Sequence, residues 1–221
     1  SITFGSHDIN AMVMDKHGHL WIGYRNGGLD RFDPVTGRIV NYQHVPGDTK
    51  SIISTGVSTL FIDKDGNLWI GTWDNGLCLL ENSELQKHFY APLVFKDKSG
   101  YHEGSKINKL FTISQDKFGN LWLASFGGGI FAYHPGKDRY LHLQVAENEL
   151  NEKTNFRTLC FSSNGSLITG SNNVFIVRNS DIEVINRCLS DDQPYQFEKI
   201  HARVFKLTSR LIMPNVYSIF E

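Results

Sequence analysis

Short apolar runs alternate along the chain with polar, glycine-bearing turns, and the same alternation returns several times. Its clearest copy opens with the β-rich run Val57–Ile62, passes through the turn Asp63-Lys64-Asp65-Gly66-Asn67, and continues in a second run, Leu68–Thr72. A second glycine turn at Gly76 then leads into a third run, Leu77–Leu80. Runs of four to six residues rich in Val, Ile, Leu and aromatics, bounded by Gly and Asp or Asn, predict strands joined by tight turns, not helices. Residues 9–29 repeat the pattern with Asp15, Gly18, Trp21, Gly23 and Gly28, and residues 110–130 repeat it with Asp116, Gly119, Trp122 and Gly129. A looser fourth copy begins at Phe156 and carries Gly165, Leu167 and Gly170, with Ile168 where the other copies have Trp.

The aligned glycines Gly18, Gly66, Gly119 and Gly165 stand 48, 53 and 46 residues apart, a period that fits propeller blades. In the first copy a fourth strand, Ile39–Tyr42, follows a turn with Pro34 and Gly37. Four antiparallel strands per unit is the blade of a β-propeller. The sequence therefore predicts an all-β chain of about four four-stranded blades, at residues 1–50, 51–103, 104–150 and 151–215. Residues 187–210 hold an irregular insertion or a degenerate fourth strand. Val216 to Glu221 align with residues 57–62, as the first strand of a truncated fifth blade within a larger ring.

Each recurring position has a physical role. Gly18, Gly66 and Gly119 allow positive φ in the Asp-x-x-Gly turns, and the aspartates bond their own backbone. Trp21, Trp69 and Trp122 alternate with small or polar neighbours, Gly23 and Gly71 among them, and are expected to be buried between adjacent blades. Truncating such a ring to Ala costs roughly 3 kcal/mol or more.

The string 63–72, its Gly76-Leu77 continuation and the closing Val216 to Glu221 resemble the two-component regulator propeller repeat. In that family the repeats build the extracytoplasmic sensor of hybrid two-component histidine kinases, often as seven-bladed propellers. The resemblance implies a periplasmic ligand-sensing segment, commonly tuned to oligosaccharides in Bacteroides-like bacteria, that signals to transcription. It implies as partners a small carbohydrate, the remaining blades of the sensor and a homodimeric arrangement. Two rivals remain open: an interaction propeller of an unrelated multidomain protein, and a propeller lyase or glycosidase.

Composition narrows the chemistry. A formal charge of −1 with 20% charged residues argues against a nucleic-acid binder, which would carry a basic excess. Cys78, Cys160 and Cys188 form no CxxC pair and read as structural thiols. The Asp63 loop places Leu68 where a calcium loop requires Gly, His17 and His19 lack partners at metal-ligand spacing, and Asn164-Gly165-Ser166 reads as a hairpin turn. No catalytic residue, metal ligand or cofactor motif stands out.

One set of positions departs from structural duty. Arg25, Trp73, Phe126 and Asn172 follow the second strand in successive copies, on the loop to the third, and Asp74 and Asn26 lie beside them. If these loops gather on one face, an aromatic and polar mixture could stack on a sugar ring and bond its hydroxyls. The same residues could instead fill the space between blades.

Overall fold

The computed structural model describes residues 3–81, 89–93, 109–143, 155–170, 174–191 and 203–205. They form two compact units, Ser1–Phe111 and Thr112–Glu221. In the first unit, β1 (Ile9–Met14), β2 (Leu20–Tyr24), β3 (Leu29–Phe32) and β4 (Ile39–Tyr42) form one antiparallel meander. A second meander follows in β5 (Val57–Ile62), β6 (Leu68–Thr72), β7 (Leu77–Leu80) and β8 (Phe89–Leu93). The third sheet comprises β9 (Leu110–Gln115), β10 (Leu121–Ser125), β11 (Gly129–His134) and β12 (Arg139–Leu143). The fourth comprises β13 (Thr158–Phe161), β14 (Leu167–Gly170), β15 (Val174–Val177) and β16 (Arg203–Phe205). These are four propeller blades, each with the expected four strands.

The turn between the first two strands is the same in the first three blades. Asp63 accepts the backbone N–H of Asp65 and Asn67 on Oδ1, while its Oδ2 accepts the Asn67 amide and, at 2.7 Å, the Trp69 indole N–H. Asp116 repeats this with Phe118, Asn120 and, at 2.9 Å, Trp122. Asp15 does so with the backbone N–H of His17 and His19 and, at 2.9 Å, with Trp21. Gly18, Gly66 and Gly119 sit at φ of +81°, +86° and +93°, which a side chain would strain. The turn thus fixes an indole at the head of the second strand, and the ring enters the core.

All three predicted indoles are buried. Trp21 and Leu29 on one face of the first blade pack with Val57, Leu68, Ile70, Cys78 and Leu80 on the facing side of the second. Gly23 permits this approach, because a Cβ there would run into the Val57 side chain. Gly71 is confined in the same way, with Thr59 and, at 3.1 Å, Leu110 Cβ against the place its own Cβ would take. In the second unit Trp122 packs with Phe156, Leu159 and Phe175 of the fourth blade, and Ala124 occupies the glycine position.

The fourth blade departs from expectation. Between β15 and β16 the chain forms α1 (Asn179–Ser190), a helix that begins before residue 187 and was not expected, while β16 lies inside the 187–210 window, where a degenerate fourth strand was one of the two alternatives. Ile182, Ile185 and Leu189 recur at helical spacing and enter the cluster around Trp122. The outer side of α1 reaches the third blade's turn: Glu183 pairs with Lys117 at 3.0 Å and Asn186 accepts from the Asn120 amide at 3.0 Å. The expected fifth-blade strand, Val216 to Glu221, lies outside the described residues. Asn164 and Gly165 form the anticipated hairpin turn, with Gly165 at φ +79°.

If α1 is part of the core, Ile185→Ala should destabilise the chain by about 2–5 kcal/mol in chemical denaturation, whereas Val184→Ala, on the exposed side, should leave the midpoint almost unchanged.

Candidate functional site

The loops between second and third strands are the candidate site, and in the first unit their backbone is fixed by the segment that leads into each first strand. Arg25 donates its N–H to the Asp8 carbonyl at 2.9 Å, and Trp73 donates to the Gly56 carbonyl at 3.1 Å. Gly27 and Gly28 both donate to the Thr55 carbonyl, at 3.2 and 2.9 Å, and the Asn75 side-chain amide donates to the Ile53 carbonyl at 3.1 Å. The loop of the first blade is therefore tied to residues leading into the second. Equivalent loops of the two blades share one hydrogen-bonded frame.

On that frame Arg25, Asn26 and Asp74 are exposed, and Trp73 is half-buried. The Trp73 ring meets Phe111 edge to face, with centroids 5.4 Å apart, so the filling role left open by the sequence is part of its duty. Its indole N–H is enclosed and finds no acceptor among the described residues. An enclosed donor of this kind is an exception in folded proteins and calls for an explanation. Phe126 lies half-buried on the corresponding turn of the third blade, in the second unit. Asn172 lies outside the described residues.

A polar network beside this loop escaped sequence reasoning. The buried Asp30 carboxylate accepts the Tyr24 hydroxyl at 2.7 Å, the Gly5 N–H at 2.8 Å and the Asn41 amide at 2.5 Å. Gln43 extends it, donating to Asn41 Oδ1 at 2.5 Å and to the Gly27 carbonyl at 2.8 Å. Burial first, then the Asp30 carboxylate, push the Tyr24 phenol well above the ordinary tyrosine range. The signal was present in the sequence: the third strand of the first copy reads Leu29-Asp30-Arg31-Phe32 where the second reads Leu77 to Leu80, all apolar.

Elsewhere the chemistry is quiet. Burial raises the Cys78 thiol to about 12 and also raises that of Cys188; both are thiols held in the core, as structural cysteines. Among the described residues no cluster of His, Cys, Asp or Glu could hold a metal ion. None of their helices is long and apolar enough to cross a membrane.

Residues 3–26 and 51–74 match the two component regulator propeller family, each covering the lead-in, first strand, Asp-Trp turn and following loop of one blade. The chain carries two component regulator propeller repeats. No curated protein matches the sequence. Among solved structures, the extracellular domain described as a hybrid two component system of B. thetaiotaomicron superposes with a TM-score of 0.68 at 18% identity, over 96% of this chain and 24% of that one. A second such domain from B. thetaiotaomicron gives 0.62 at 19% identity, over 81% and 24%. Virginiamycin B lyase of Staphylococcus aureus gives 0.62 at 13% identity, over 92% and 57%. These likenesses show the propeller fold, and the chain spans about a quarter of the two B. thetaiotaomicron domains.

The turn of the first blade is acid-sensitive. Burial alone would raise the Asp15 carboxyl, but the bonds from the Trp21 indole and the His19 and His17 backbone, with the His19 ring, outweigh it and hold the group below the ordinary carboxylate range. A carboxyl lowered by folding stabilises the native state above its unfolded pKa, and that contribution is lost as pH falls through the lower folded value. Stability should therefore fall below about pH 4, and Asp15→Asn should flatten the fall while lowering stability at neutral pH. Denaturation midpoints against pH, for wild type and variant, measure both effects.

Proposed function

We propose that this chain is a ligand-sensing part of the extracytoplasmic region of a two-component sensor histidine kinase, with an oligosaccharide as ligand and a transcriptional response as output. The observation that carries the proposal is the double match to two component regulator propeller repeats, at residues 3–26 and 51–74. The loop frame of the first unit supports it. A guanidinium at Arg25, an amide at Asn26, a carboxylate at Asp74 and an indole at Trp73 are the groups that bond sugar hydroxyls and stack on the apolar side of a pyranose.

In this reading the segment performs no chemistry. Binding shifts the population of propeller or dimer arrangements, and the kinase reads the shift. The differential affinity of the sugar for the two arrangements sets the size of the response. The region lies in the periplasm, where oligosaccharides released from complex glycans reach it.

A glycan array probed with the complete extracytoplasmic region tests the proposal, and calorimetry then ranks variants. Asp74→Ala, at an exposed position, should leave the fold intact and weaken binding. Trp73→Ala should weaken it by 1–2 kcal/mol, roughly 5- to 30-fold, with a modest loss of stability from the Phe111 contact. An array without a glycan hit, or wild-type affinity in both variants, would remove the loop from the site.

A further inference from the structure

We propose, resting on the oligosaccharide reading, that Gly56 is the floor of a subsite for one uncharged pyranose unit, lying between the Arg25 loop and the Trp73 ring. Gly56 ends the lead-in to β5 and is half-buried. A Cβ there would stand 3.2 Å from the Arg25 carbonyl oxygen, 3.4 Å from Trp73 Cδ1 and 3.6 Å from Ser54 Oγ. Both candidate loops of the first unit therefore converge on this one residue.

The backbone does not demand glycine at this place. Gly56 is not at positive φ, and the tightest contact its Cβ would make asks only a slight shift. The repeat supplies the comparison, because the residues that precede the first strand in the other copies are Asp8, Lys109 and Asn155, all with side chains. Asp8 makes the same local bonds as Gly56. Its N–H donates to Ser6 Oγ at 3.3 Å, as that of Gly56 does to Ser54 Oγ at 3.0 Å, and its carbonyl accepts the Arg25 N–H as that of Gly56 accepts the Trp73 N–H. One backbone arrangement thus carries a carboxylate in the first blade and nothing in the second. The space left open lies between the aromatic and polar groups that suit a ligand.

One wall of this space is fixed in advance. Asp30 is 0% exposed and accepts the Tyr24 hydroxyl, the Gly5 N–H and the Asn41 amide, and Asn41 and Gln43 both donate to the Gly27 carbonyl. A buried carboxylate is costly unless its oxygens are satisfied, so the loop tied to it is held in one arrangement. Such preorganisation lowers the cost of binding. The lining then names the ligand class: a backbone carbonyl, a hydroxyl and the edge of an indole surround the floor, while the side chains of opposite charge, Arg25 and Asp74, lie exposed on the loops. These groups suit the hydroxyls and the apolar face of an uncharged sugar.

The test compares variants of the full-length polypeptide on an array of neutral and uronic-acid oligosaccharides, with calorimetry on each hit. Gly56→Asn introduces the residue used at position 155; it should melt with the wild type and lose about tenfold or more in affinity, and Gly56→Ala should lose less. Gln43→Ala should speed hydrogen exchange at the Gly27 and Gly28 amides and weaken the same sugars several-fold, and unchanged exchange would count against a fixed wall. If neutral sugars that Trp73→Ala releases still bind both Gly56 variants as they bind the wild type, the subsite is wrong while the sensor reading stands. Hits confined to uronic acids also overturn the subsite. An array without any hit overturns both. Should Gly56→Asn lower the melting temperature, Gly56→Ala decides alone: wild-type affinity in a variant with wild-type melting contradicts the floor.

Discussion

A buried carboxylate joined to an indole holds each of the first three blades in order. Asp15, Asp63 and Asp116 are withdrawn from water, which would be costly if their oxygens were left bare. One oxygen accepts two backbone N–H groups of the turn, and the other accepts the indole N–H of the residue six positions on. The indole needs that acceptor as much as the carboxylate needs the donor, because a buried Trp N–H without a partner is also costly. Together they lock a hairpin turn to the ring that fills the core beside the blade. The fourth blade lacks both at once: Ser162 stands for Asp, Ile168 stands for Trp, and Ser162 and Asn164 with backbone bonds close the turn.

Much of this was legible because it is repeated. A residue type that returns in register three times is separated from its neighbours without any other sequence for comparison, which is how Trp21, Trp69 and Trp122 and the turn glycines could be placed. The role of the aspartates was half visible: their backbone bonds follow from the turn, but the bond to the indole requires knowing how the second strand folds back. The helix α1 occurs once, so repetition did not reveal it. Its Ile182, Ile185 and Leu189 spacing carries the helical period, but so short a signal inside a chain of strands does not stand out without repetition.

The loop site shows a different limit. The positions of Arg25 and Trp73 followed from the glycines flanking them, and the structure ties both loops to the segments leading into the first strands. That Trp73 also packs on Phe111 depends on a contact between residues far apart in sequence, which pattern alone does not carry. The Asp30 network joins Gly5, Tyr24 and Asn41 across strands for the same reason, although a charged pair inside an otherwise apolar strand had marked the place.

The coupling between carboxylate and indole can be measured directly. A double-mutant cycle on the 221-residue chain, with Asp63→Asn, Trp69→Phe and the double variant compared by chemical denaturation, isolates the interaction from the loss of ring volume and of backbone bonds. The two changes should be strongly non-additive, with a coupling of about 1.5–3 kcal/mol as expected for a hydrogen bond to a buried charge. Additive losses, with coupling within a few tenths of a kcal/mol of zero, would mean that the turn and the ring are stabilised independently, and that the Asp–Trp bond is not what holds the blade together.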